Sequence, residues 1–207
     1  MSGLRERKKR QSREAIARAA AELFAARGFD SVTVDDVARA ADVSRQTVFN
    51  YFPTKEQMLF DRDAEIEAAL LAAVRDRGEG ASLVGAFRAH TRGFWTALGS
   101  SLSRGALPHG FWEIVEASPA LRDCAEATFA RHARSVAGEL AAERGLPTDD
   151  PVCHALARAL CGVNAAVLTC GLHRLTRGDD PSGAISEILA RADEAYDLLE
   201  HGLGTEA

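Results

Sequence analysis

Three side chains in one short stretch, Arg45, Gln46 and Asn50, carry the donors and acceptors needed to read nucleic-acid bases. Arginine can grip guanine O6 and N7 through two parallel hydrogen bonds, and glutamine or asparagine can do the same at adenine N6 and N7. Gln46 and Asn50 are four residues apart, so on a helix both project from one side. Thr47 and Tyr51, also four apart, bring hydroxyls suited to phosphate. Thr33 and Ser44 sit where helices should begin, and helix starts favour anions. Lys55 adds a point charge just beyond. A solvated helix face can look the same residue by residue. The basic run before this stretch and the caps within it are what favour DNA.

Short helices must position these groups. Ile16, Ala19, Ala20, Leu23 and Phe24 recur at helical spacing and predict a helix from Ser12 to about Arg27, stopped by Gly28. Thr33 is a good N-cap, with Asp36 three residues on in the capping-box position. Val34, Val37, Ala38 and Ala41 supply the inner stripe of the second helix. Asp42 and Val43 form the turn, Ser44 caps the third helix, and Val48 and Phe52 form its inner face. Pro53 ends that helix by biasing Phe52 away from helical geometry. Thr54 then predicts one long fourth helix, with Met58, Leu59, Ile66, Leu70 and Val74 inward to about Arg77.

Charge follows the same division. Residues 1–62 hold 12 Lys and Arg against 9 Asp and Glu, a net of +3, which leaves −8 for the rest of a chain whose formal charge is −5. A basic head on an acidic body fits a molecule that meets phosphate at one end. Residues 1–9, with Arg5, Arg7, Lys8 and Lys9, are expected as a basic flexible arm that touches phosphates or a minor groove together with Arg10. No apolar run approaches a membrane span and the N-terminus lacks a secretory pattern, so the expected location is cytoplasmic with no membrane partner.

The stretch from about Arg10 to about Leu70 resembles the DNA-binding domain of the TetR family of bacterial transcriptional regulators. The likeness rests on the alanine-rich first helix ending at Gly28-Phe29, on Thr33-Val34, Ala38 and Ala41-Val43-Ser44, and on Thr47, Tyr51-Phe52 and Lys55. It implies a domain over 10–70 with its helix-turn-helix at 33–52, phosphate anchors at Tyr51 and Lys55, and groove-facing Arg45, Gln46, Phe49 and Asn50. Position 49 is often tyrosine in that family. Phe49 can meet a thymine methyl but offers phosphate no hydroxyl.

For residues 71–207 the resemblance implies an α-helical regulatory domain with a ligand cavity, dimerised through its last two helices. The whole chain is then all-α, with about nine helices. Ala155, Ala159, Gly162 and Ala166 would allow close helix approach, and the last-helix residues Ile188, Ala192 and Tyr196 complete the candidate dimer interface. Phe87, Phe94, Trp95, Phe111 and Trp112 concentrate aromatic bulk, with His90 and His109 as polar neighbours, and are the candidate ligand residues.

The expected function is a repressor released from a palindromic operator by a small, largely apolar effector. An effector-independent DNA-binding dimer is the alternative, as is a thiol or metal switch built on Cys161, Cys170 and His173. No enzyme motif, metal set or cofactor motif is present, so neither catalysis nor a cofactor is expected.

Overall fold

The computed structural model describes residues 2–102, 111–176 and 181–202, and all regular structure among them is helical. Ten helices follow in order: α1 (Ser2–Arg27), α2 (Val34–Ala40), α3 (Arg45–Tyr51), α4 (Glu56–Leu59), α5 (Asp63–Arg75), α6 (Leu83–Leu102), α7 (Phe111–Ala117), α8 (Pro119–Arg144), α9 (Pro151–Thr176) and α10 (Pro181–His201). Residues 103–110, with the candidate His109 among them, and residues 177–180 lie outside the described residues.

Two compact units divide the chain. Met1–Arg62 with Pro108–Cys124 form the head unit, and Asp63–Leu107 with Ala125–Ala207 form the body unit. On this division α7 belongs with the head unit. Phe111 of α7 meets Phe60 edge-on at 6.1 Å, and buried Ser118 donates to Asp30 Oδ1 at 3.0 Å.

Two local expectations change. The basic arm is not a coil: α1 begins at Ser2, because no helix breaker stands between Leu4 and Arg27. The expected long fourth helix is instead α4 and α5, interrupted where Phe60 takes φ −96° and ψ 37°. Arg13 accounts for the interruption, since it donates to the freed Asp61 carbonyl at 3.2 Å.

In the body, Leu70, Val74, Phe87, Val136, Leu140, Leu160 and Tyr196 share one core. Trp95 packs so closely on Gly171 that a Cβ there would lie 2.3 Å from its ring. Polar pairs stitch α5 and the segment just after it to α8: Asp63 with Arg131 and His132, Glu67 with Ser135, Arg75 with Glu139, and, beyond the helix, Arg77 with Glu143. Arg88 and Arg92 of α6 bind Asp197 and Asp193 of α10 at 2.7 and 2.6 Å.

α9 is the long small-residue helix that Ala155, Ala159, Gly162 and Ala166 suggest, and it is more apolar than the sequence reading allowed. Pro151–Leu175 is long and apolar enough by composition to cross a membrane, yet only 22% of an 18-residue window within it is buried. The earlier expectation missed it because small residues (Ala, Cys, Gly, Thr) supply much of its apolarity. One face, with Cys153, Ala157, Leu160 and Cys161, enters the subunit core. The opposite face exposes Val152, Ala155, Ala159, Gly162, Ala166 and Cys170. By contrast Ile188, Ala192 and Tyr196 of α10 turn inward, at 5%, 2% and 0% exposure, and Tyr196 bonds Thr91 at 2.8 Å. They are core residues of their own subunit and do not themselves face outward.

Several carboxylates titrate below their ordinary range. The Ser135 hydroxyl, then Arg131 and His132, hold Glu67 down, and Arg75 holds Glu139 down. Lowered carboxylates stabilise the fold above their unfolded values, near 4.5, and lose that contribution as pH falls through the folded values. Urea midpoints should therefore fall as pH drops below about 4.5, and Glu139→Gln should flatten that dependence.

Candidate DNA-reading site

The site lies in the head, and capping builds it. Thr33 has extended geometry, its Oγ1 accepts from Asp36 N at 3.1 Å, and its backbone N–H donates to Asp36 Oδ2 at 3.0 Å. The expected capping box is present. These bonds hold the Asp36 carboxyl down to about 2, with the Thr33 backbone the largest cause. The Thr33 hydroxyl also donates to Asp36 at 2.7 Å, so a phosphate at this helix start would have to displace Asp36.

α2 closes through a left-handed residue. Asp42 has φ 53°, Val43 N–H donates to Ala38 O at 2.9 Å, and Asp42 N–H donates to Arg39 O at 3.3 Å. This is a Schellman motif with Asp where glycine is usual, and Asp tolerates left-handed geometry better than most residues. Ser44 then caps α3, accepting from Thr47 N–H at 3.0 Å and sharing a 2.8 Å hydroxyl pair with Thr47. Val48 and Phe52, both fully buried, hold the inner face of α3.

The outer face of α3 carries Arg45, Gln46, Phe49 and Asn50, all exposed. Gln46 Nε2 donates to Asn50 Oδ1 at 3.1 Å, which aligns the two amides. Arg45 pairs with Asp35 at 2.8 Å and lies 5.5 Å from the Phe49 ring centroid. Both charges of this pair are more than half exposed, so the pairing is worth about 0–1 kcal/mol and exchanges readily. Phe49 thus steadies Arg45 in addition to presenting an apolar edge.

Two flanking cations hold the frame. Lys55 Nζ donates to Phe29 O at 2.9 Å and Val32 O at 3.1 Å, above the Phe29 ring at 3.9 Å. An ammonium has three donors, so one remains for phosphate. Arg13, absent from the sequence expectations, donates to Tyr51 O at 2.8 Å and lies 4.2 Å over the Phe52 ring. Its signal was readable: it continues the apolar stripe of Ile16 and Ala20 one turn back.

The other candidates fall in different units. Phe111 and Trp112 are in the head unit, while Phe87, His90, Phe94 and Trp95 are in the body unit. Phe87 and Trp95 are core residues at 0% and 1% exposure. Cys161 is buried and its thiol is pushed up to about 12 by burial, which disfavours a thiolate at that position. Among the described residues no His, Cys, Asp and Glu cluster could hold a metal.

A capped helix-turn-helix that exposes Arg, Gln and Asn on its second helix defines a DNA-binding protein. Residues 16–61 match the family model described as bacterial regulatory proteins, tetR family. The HTH-type transcriptional regulator TcmR of Streptomyces glaucescens is 35% identical over 156 residues, which cover 72% of this chain and 67% of that protein. A solved structure from Syntrophomonas wolfei str. Goettingen, assigned to the TetR family, matches with TM-score 0.61 at 15% identity, covering 96% of this chain and 99% of that one. Salmonella enterica GusR matches with TM-score 0.51 at 20% identity, covering 90% and 96%. The chain belongs to the TetR family, and it is a DNA-binding transcriptional regulator.

Base-reading and phosphate-binding residues should separate in titrations. Arg45→Ala or Gln46→Ala should cost about 1–3 kcal/mol on the preferred duplex and little on random DNA, whereas Tyr51→Phe should weaken both alike. Fluorescence anisotropy on the two duplexes measures the difference.

Proposed function

We propose that this regulator is a repressor that binds a palindromic operator as a homodimer and leaves it when a small, largely apolar ligand enters the body unit. The observation that carries the dimer is the outward face of α9. Val152, Ala155, Ala159, Gly162 and Ala166 form an apolar stripe opposite the helix's own core face. A monomer would leave that stripe in water, whereas a second copy can cover it, and small side chains allow close approach. Ile188, Ala192 and Tyr196 would support the interface from the core behind it. Two heads about 34–36 Å apart, or a multiple of that spacing, meet successive major grooves, which requires a two-fold operator.

Ala159→Glu tests this face. Sedimentation of the wild type should give twice the 22.2 kDa of one chain, and the variant should give 22.2 kDa with its helical signal intact and operator affinity lost. A variant that keeps the doubled mass rejects the face.

For the ligand, the supporting feature is an open body-unit groove of about 340 Å³, its alanine floor (Ala72, Ala73, Ala86, Ala89) edged by His90, Asp76 and Arg77. That size, with a mainly apolar floor and a few polar groups at its edge, suits a small molecule. Desolvation lowers the His90 pKa, so a neutral imidazole offers the groove a polar contact without charge. Phe94, half-buried on Trp95 at 5.8 Å between centroids, retains surface for a ligand, while Phe87 and Trp95 back it in the core. Binding shifts the population toward an arrangement in which head spacing no longer matches the operator.

A typical coupling of about 1–3 kcal/mol lowers operator affinity about 5–150-fold. A thermal-shift screen of small apolar compounds, followed by operator titration with each stabilising compound, measures it. Compounds that saturate the body without changing operator affinity would instead establish an effector-independent regulator.

A further inference from the structure

We propose that the first three turns of α1 are a basic helical projection that binds the phosphates of duplex DNA flanking the operator, outside the base pairs met by α3. The inference rests on the chain's DNA binding and extends it to a second contact surface. α1 begins at Ser2, and from Glu6 on the first side chain that is buried is Ile16. At 1.5 Å per residue, the six exposed residues from Glu6 to Gln11 run about 9 Å along the helix with no buried side chain among them. Arg7, Lys8, Lys9 and Arg10 are exposed along that length, and Glu6 is the acid among them. Arg10 reaches Glu14 at 3.5 Å across solvent, while no carboxylate among the described residues pairs with Arg7, Lys8 or Lys9.

The next turn fixes where this charge lies. Arg13 donates to Tyr51 O at 2.8 Å, so α1 passes the C-terminal end of α3 at that point. The projection therefore leaves the head beside Tyr51, at the edge of the reading surface. Four consecutive cations span more than one helical turn and so point in several directions around the axis. That arrangement suits a polyanion curving past the helix better than a flat surface.

Neutralising phosphates releases counterions, and each contact contributes about 0.9 to the salt slope of binding. The test compares full-length wild type with a variant carrying Arg7→Gln, Lys8→Gln, Lys9→Gln and Arg10→Gln. Glutamine keeps helix propensity, and none of the four positions is buried. The probe is a duplex selected from a random pool with the wild-type protein, prepared with long flanks and trimmed to the selected core. On the long duplex, raising salt from about 50 to about 200 mM should weaken the wild type roughly 10–100-fold more than the variant. On the trimmed duplex the two proteins should bind alike.

Equal salt slopes and equal flank dependence overturn the proposal. So does a variant effect confined to vesicles of phosphatidylcholine and phosphatidylglycerol, which would assign the projection to a membrane surface. Wild-type protein that selects no duplex would fail the DNA-binding reading itself, an outcome distinct from both.

Discussion

The Arg13 guanidinium holds the recognition helix in place. α3 has seven residues, too few to persist in water from backbone hydrogen bonds alone. Arg13 donates to the Tyr51 carbonyl at the helix's C-terminal end, to the Asp61 carbonyl beyond it, and covers the Phe52 ring. The same charge therefore satisfies an end-of-helix acceptor, complements the negative pole of the helix and fixes the turn before α5. Lys55 does the matching work where α1 gives way to α2, on the carbonyls of Phe29 and Val32. Val48 and Phe52 complete the anchoring from the inner face.

With the backbone held, the outer surface can consist of groups already bonded to one another. Arg45 rests on Asp35, Gln46 on Asn50, Ser44 on Thr47, and Thr33 on Asp36. The exposed pairs on α3 are each worth little in water, so an incoming partner could replace them at little cost, and they already limit side-chain freedom. The Thr33 pair differs. It is the cap that starts α2, so the hydroxyl serves the fold first.

In the body, polarity divides two neighbouring helices in a similar way. α10 turns Ile188, Ala192 and Tyr196 into the core and presents Asp193 and Asp197 to the arginines of α6. α9 gives one apolar face to the core and leaves a second apolar face in solvent. A helix apolar on both sides is poorly suited to an isolated subunit, which is why the dimer reading rests on α9 rather than on α10.

Much of the head was legible in the sequence because its determinants are local. Thr33 and Asp36, Ser44 and Thr47, Gly28, and the pair Val48 and Phe52 set caps, a stop and an inner face through neighbours only a few residues away. The exposed Arg45, Gln46 and Asn50 followed from helical spacing alone. Tertiary structure decided what depends on distant partners. Apolar spacing runs through residues 58–74 without a break, yet Arg13, 48 residues away, takes the Asp61 carbonyl between α4 and α5. Residues 1–9 read as a charged coil by composition, yet residues 2–9 belong to α1, which Arg13 ties to the Tyr51 carbonyl one turn further on. Aromatic content suggested one cluster for Phe87, Trp95, Phe111 and Trp112, and packing divides them between two units. Spacing states which residues share a face; only the packed chain states what that face meets.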